Sequence, residues 1–391
     1  MENIVEEGKL TVFLKGRINS DNAAHVQNDI EELLVENHEM DLILDLNELE
    51  YISSAGLRVL LYLKKKSGRN IFIINASPEV YDIFNVTGFS ELFNIKKKLR
   101  EISVEGCKVI GQGAVGTVYR LDEDTVVKVY ESMTSVEEIE REQKMAKHAL
   151  LMGIPTAISY DIVRVDGKLG TVFEMLKADN FNDMIIEKPE DKENIVRQYA
   201  EFLRQIHSVE LDGESLPDMR DLFVSFIDDL GETLPSDLAD RLRELIIKMP
   251  KCRSTIHGDV QMKNVMLDGS EPLLIDMESL SVGNPVFELQ ALYIAYKAYP
   301  EDEKGNTDRF LGITEEMADY IYNKSMENYF QGYTEEQLEG AKLKIRIVAY
   351  IRFLHLVSVR GIGLPELMET RVKHTIEHLR EDLPKVDNLE V

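Results

Sequence analysis

Hydrophobic and polar positions change their period along the chain, and that change divides it. Leu10, Val12 and Leu14 alternate with Thr11, Phe13 and Lys15, the spacing of a half-buried strand. Ser20 and Asp21 can cap a following helix, whose Val26, Ile30, Leu33 and Leu34 recur at helical spacing. Leu42, Ile43 and Leu44 form an apolar run suited to the middle of a sheet covered by helices. A second helix carries Leu57, Leu60 and Leu61 on one face and ends in Lys64, Lys65 and Lys66, where cations suit the helix dipole. A strand over 71–74 and a helix over 78–84 complete an α/β unit of about the first hundred residues.

Beyond residue 100 the pattern restarts without a Pro-, Gly- or Ser-rich spacer. Gly111, Gly113 and Gly116 lie in G-x-G-x-x-G-x-V, ending at Val118, and strand-like segments flank them. A dinucleotide fold would continue into a helix. Here a turn at Asp122, Glu123 and Asp124 leads into a further strand carrying Lys128, so the glycines sit in a hairpin. A hairpin of this kind can close its backbone over nucleotide phosphates, with the lysine reaching the α- and β-phosphates. A helix follows over 135–151, with Ser135 and Glu138 placed as a capping box and Glu140 and Glu142 as candidate partners of Lys128. Residues 171–176 read as a buried strand entering a hinge at Glu174, Met175 and Leu176. The chain is then mostly helical, except for one stretch between 255 and 276. There His257-Gly258-Asp259 is followed by Asn264, and Asp276 closes a short apolar strand over 272–275.

Composition narrows the function classes. The 391 residues carry a net charge of −26, which argues against general affinity for nucleic acid or anionic membranes. That charge is compatible with a cationic substrate or with plain solubility. No apolar run is long enough to span a membrane, the N-terminus is acidic, and two distant cysteines suit a reducing cytoplasm.

Two resemblances follow from these residues. Residues 45–57, ending in Ser53-Ser54-Ala55-Gly56-Leu57, resemble the signature of STAS domains, the fold of bacterial anti-sigma factor antagonists, with Val86 to Phe89 extending the likeness. In that family the loop usually reads D-S-[ST]-G-L and its serine is phosphorylated. By position that serine is Ser54, while Ser53 stands where the aspartate is usual. Either serine can also cap the helix that opens there.

Residues 103–385 are similar to the aminoglycoside and choline phosphotransferases, which have H-G-D where protein kinases have H-R-D. The resemblance implies ATP and Mg²⁺, Asp259 as base, Lys128 on the phosphates and Glu142 as its partner. It also implies Asn264 and Asp276 as metal ligands, and hinge backbone at Glu174, Met175 and Leu176 reading the adenine edge. Glu278, two residues past Asp276, can bind a second Mg²⁺ or a cationic substrate, or form an ion pair. Glu288, where the family often has aspartate, reads as structural.

The expected architecture is therefore α/β plus α+β. A STAS-type sheet with helices (1–100) precedes a bilobal protein-kinase-like phosphotransferase fold (101–391), with an N-lobe over about 103–176 and a C-lobe over about 177–385. Fewer than about ten residues separate Asp276 from Asn284-Pro285, and no A-P-E follows. That favours a small hydroxyl-bearing acceptor (a sugar, amino sugar or amino alcohol) in a cytoplasmic bacterial enzyme, with a protein partner for the STAS domain. Two alternatives stay open: a protein-directed kinase in a partner-switching pathway, and a non-catalytic nucleotide-binding scaffold.

Overall fold

The computed structural model describes all residues except 7, 38–39, 69, 113–115, 132–133 and 212–215. It divides into two compact units, Met1–Ser103 with Ile162–Lys168, and Val104–Asp161 with Leu169–Val391.

The first unit is a five-stranded sheet of β1 (Asn3–Glu6), β2 (Lys9–Ile18), β3 (Asp41–Ile52), β4 (Ile71–Ala76) and β5 (Asn94–Lys97), in that spatial order. The β1–β2 pair is antiparallel and the rest are parallel. Its helices are α1 (Ala23–Glu36), α2 (Ser54–Ser67) and α3 (Pro78–Val86). Leu10, Val12, Leu42, Leu44, Ile73, Ile30 and Phe84 are fully buried and form a core of their own. One expectation changes here. Helix α1 starts from Asn22, without a side-chain cap, and neither Ser20 nor Asp21 caps it. The Asn22 Oδ1 instead accepts from the Asn19 N–H at 2.9 Å, closing the loop before the helix. A short strand, β6 (Arg100–Ile102), pairs in parallel with residues 163–165 in the same unit.

The second unit opens with β7 (Lys108–Gln112), β8 (Gly116–Arg120) and β9 (Thr125–Tyr130), an antiparallel series. Helix α4 (Val136–Leu151) follows and has the capping box expected of Ser135 and Glu138. After β10 (Ser159–Val165), β11 (Lys168–Glu174) pairs antiparallel with β9, so that Lys128 lies opposite Thr171.

Beyond β12 (Asp179–Asn180) lie α5 (Phe181–Glu187), α6 (Lys192–Ser208), α7 (Met219–Leu230) and α8 (Ser236–Lys248). Short strands β13 (Thr255–Ile256), β14 (Val265–Asp268), β15 (Glu271–Leu274) and β16 (Ser281–Val282) hold the loops between them. The chain closes with α9 (Val286–Tyr293), α10 (Tyr299–Asp302), α11 (Asn306–Leu311), α12 (Glu315–Tyr329), α13 (Glu335–Leu354) and α14 (Met368–Asp382). Their apolar stripes, among them Tyr199, Phe223, Phe287, Ile345 and Ile351, form one buried core under the loop strands. His355, just past α13, is a satisfied core histidine: it stacks on Phe226 and its Nε2 lies 3.2 Å from an Asp229 oxygen.

Candidate active site

Two short hairpins of backbone carry the site. Strands β14 and β15 pair antiparallel with Val265 facing Leu274, which sets the residue before β14, Asn264, beside the residue after β15, Ile275. The Ile275 N–H donates to the Asn264 carbonyl at 3.1 Å, tying the two loops directly. Asp276 follows with φ 65° and ψ 64°, a left-handed conformation uncommon for a residue with a side chain. Such a strained position persists only where its surroundings over-determine it, and sites of chemistry are where these accumulate.

The loop from His257 to Asn264 is fixed from both sides. The Glu288 carboxylate, with no exposed surface, accepts from the His257 N–H at 2.5 Å and the Gly258 N–H at 2.9 Å. His257 Nε2 donates to the Ile275 carbonyl at 2.9 Å, which leaves Nδ1 to accept from the Asp259 N–H at 3.3 Å. Arg352 donates to the Gly258 carbonyl and Tyr199 to that of Val260. Gly258 has φ 88°, and a Cβ there would lie 2.7 Å from the Ser279 Cβ. Glycine between the histidine and aspartate is thus a packing requirement of this loop. The Asn264 side-chain amide donates to the Asp259 carbonyl at 2.7 Å and to its carboxylate at 3.0 Å, while Gln261 approaches the same carboxylate at 3.3 Å.

Lys128 reaches this site from β9. Its Nζ lies 2.9 Å from Asp276 Oδ1, with 14% of the lysine side chain and 36% of the aspartate exposed. Burial by itself would lower the Lys128 pKa. Asp276, Glu142 and Glu278 outweigh that and hold it above the ordinary value, so the ammonium stays charged.

The structure separates the two candidate glutamates on α4, since Glu140 is exposed and Glu142 is not. It also changes the expected pairing. Lys128 is ion-paired to Asp276, and Glu142 acts on it through the field at longer range. The Glu142 carboxylate accepts instead from the Tyr130 hydroxyl at 3.3 Å, and Tyr130 also meets Thr171 Oγ1 at 3.2 Å. Burial pushes the Glu142 pKa up, although Lys128 pulls it down. Tyr130, on the strand that carries Lys128, is therefore the link between strand and helix, and no motif in the sequence signals it.

The hinge and the glycines are more constrained than their motifs imply. The Glu174 N–H donates to the Ile158 carbonyl at 3.2 Å and the Met175 N–H to the Asp124 carbonyl at 2.7 Å. Both amides are spent inside the protein, so that of the three only the Leu176 N–H has no backbone acceptor among the described residues. Gly113 lies outside the described residues. Gly111 makes only ordinary contact with Val118 across β7 and β8. At Gly116 a Cβ would lie 2.3 Å from the Val129 carbonyl, so this glycine is required by strand pairing rather than by a ligand.

Among the described residues no three His, Cys, Asp or Glu side chains gather as a metal cage. The donor set at hand is amide and carboxylate oxygen, Asn264 with Asp276. That suits Mg²⁺, which keeps several waters and is held by few protein oxygens beside phosphates. Glu278 is exposed and lines a cavity of ≈ 780 Å³ bordered by Gly258 and Ser279.

Residues 106–319 match the model of the phosphotransferase enzyme family, and residues 1–102 match that of the STAS domain. The chain belongs to the phosphotransferase enzyme family and carries a STAS domain. It is a phosphotransferase.

Its first unit is 34% identical over 92 residues to a putative anti-sigma factor antagonist of Bordetella bronchiseptica, covering 23% of this chain and 78% of that protein. Among solved structures the chain is similar to the ADP-bound aminoglycoside phosphotransferase APH(2'')-Ib, at 16% identity and a TM-score of 0.49, covering 78% of this chain and 99% of that one. A choline/ethanolamine kinase family protein from Mesorhizobium loti aligns at 13% identity and a TM-score of 0.46, covering 72% and 89%. In this phosphotransferase Glu288 has the structural role read from its motif, as an anchor of the loop, whereas no motif signals the second anchor, Arg352. Their partners are backbone atoms 30 and 94 positions away.

Proposed function

We propose that the second unit transfers the γ-phosphoryl group of ATP to a hydroxyl of a small molecule in the cytoplasm. The observation that carries this reading is the Lys128–Asp276 pair beside the Asp259–Asn264 loop, which brings three segments distant in sequence together. Asp259 accepts the acceptor's O–H proton, a new O–P bond forms, and the bond from Pγ to the bridging oxygen breaks, its electron pair leaving on ADP. Lys128 offsets charge on the phosphates, and the Leu176 amide meets the adenine edge. Asn264 and Asp276 are the residues to hold Mg²⁺, which supplies charge neutralisation on the phosphates.

The test is Mg²⁺-dependent release of ADP across a panel of sugars, amino sugars, amino alcohols and hydroxy acids. Asp259→Asn keeps the side-chain volume and is expected to lower turnover by about 10²- to 10⁴-fold with nucleotide affinity unchanged. Wild-type turnover by that variant would remove Asp259 as the base.

A second, compatible role belongs to the STAS domain. Ser53 Oγ accepts from the Ala55 N–H at 3.2 Å and is the cap of α2, which leaves Ser54 exposed in the first turn and free of that duty. Ser54 is thereby the candidate phosphoacceptor of a module that docks a protein partner. A phosphate there would add about two negative charges at a helix N-terminus. Phosphopeptide mass spectrometry, with partner capture by Ser54→Ala and Ser54→Asp, checks this. Unmodified Ser54 and equal capture by all forms would refute it.

A further inference from the structure

The cavity beside Gly258 carries a charge opposite to that of the chain as a whole. Its described wall contains Arg141, Lys144 and His148 from α4 and Arg352 from α13, against one carboxylate, Glu278. Arg141, Lys144 and Arg352 have no ion pair among the described residues; Arg352 donates to a carbonyl only. His148 keeps a buried Nε2 without a hydrogen-bond partner. Three cations, two of them exposed, and a buried unsatisfied imidazole nitrogen line one concave space, where an anionic oxygen group would meet them by charge-assisted hydrogen bonds. The rest of the wall is apolar, with Leu222, Phe223 and Phe226 on α7. Such a surface takes a hydrocarbon body.

Resting on the phosphotransfer reading, we infer that the acceptor is an anionic amphiphile: a hydroxyl compound with a carboxylate or phosphate and an apolar portion. A polycationic amino sugar would meet one carboxylate and three cations in this cavity. The net charge of −26 gives the opposite expectation, because it averages over a surface that does not line the site. A helix facing the cavity can concentrate cations while the remainder of the chain stays acidic.

Binding of named probes tests this independently of turnover. Titration calorimetry of the full chain uses 12-hydroxydodecanoate and a monoalkyl glycerol phosphate as anionic probes, and kanamycin as the polycation. Saturable binding of either anionic probe, tighter than kanamycin, is expected, and the tighter of the two tells carboxylate from phosphate. Arg141→Gln with Lys144→Gln, at an unchanged melting temperature, should weaken the anionic probes by about 10-fold or more. Lys144→Arg should retain affinity. Equal or tighter binding of kanamycin, or anionic binding indifferent to the double variant, would overturn the inference. If the anionic probes bind as expected but no acceptor yields ADP, the small-molecule acceptor reading fails and the character of the cavity stands.

Discussion

Lys128 and Asp276 show how one contact sets both charge and position. The lysine is mostly buried and would be neutralised more easily there, yet three carboxylates keep its pKa above the ordinary 10.5. A raised value means that its contribution to stability is fully present below 10.5 and is lost as pH rises through the folded value above it. Lys128→Met should therefore be less stable than wild type at pH ~8, and the gap should close at strongly alkaline pH. Thermal unfolding of both proteins across that range measures it; a gap that persists at high pH would assign the effect to packing of the lysine stem. The same scale explains Glu288. A buried carboxylate that accepts two backbone N–H groups at 2.5 and 2.9 Å is a fixed support for the loop that presents Asp259.

At the scale of elements, the glycine hairpin is held by its neighbours. Gly116 pairs with Tyr130 across β8 and β9, and a Cβ there would lie 2.3 Å from the Val129 carbonyl oxygen. Gly116→Ala would force β8 away from the strand that carries Lys128. Overpacking of this kind costs about 1–3 kcal/mol. We expect lower stability together with weaker nucleotide binding, read by denaturant unfolding and by titration with a fluorescent nucleotide. Gly111 has no comparable clash, so Gly111→Ala is the control and should leave stability within roughly 1 kcal/mol. Helix α4 joins the same assembly through Tyr130 and Glu142, so strand and helix share one hydrogen-bonded link.

For the whole molecule, each compact unit owns a separate core, one around Leu42, Leu44 and Ile73, the other around Tyr199, Phe287 and Ile351. Separate cores should unfold as separate transitions. A ligand of one unit then shifts only that unit's transition, by about 2.7 kcal/mol at a hundred times its dissociation constant. Calorimetry with and without Mg²⁺-ATP is expected to show two endotherms, of which only the second unit's moves. A single endotherm, or two that move together, would show the units to be coupled. The sequence by itself determined that the pattern restarts near residue 100, the main strand and helix periods, and the motifs that contain Asp259, Asn264 and Asp276, because periods and short motifs are local properties; that Ile162–Lys168 belongs with the first unit it did not show. It also placed Lys128 on a strand after a glycine hairpin. Only the tertiary structure decided that Asp276 is the lysine's ion-pair partner, that Tyr130 takes Glu142, that Ser53 caps α2 and leaves Ser54 exposed, and that Glu288 anchors the loop. It alone showed a basic cavity in an acidic chain. Those facts depend on which side chains meet across long stretches of chain, and neither spacing nor composition carries that information, since a hydrogen bond is decided by distance and direction in space.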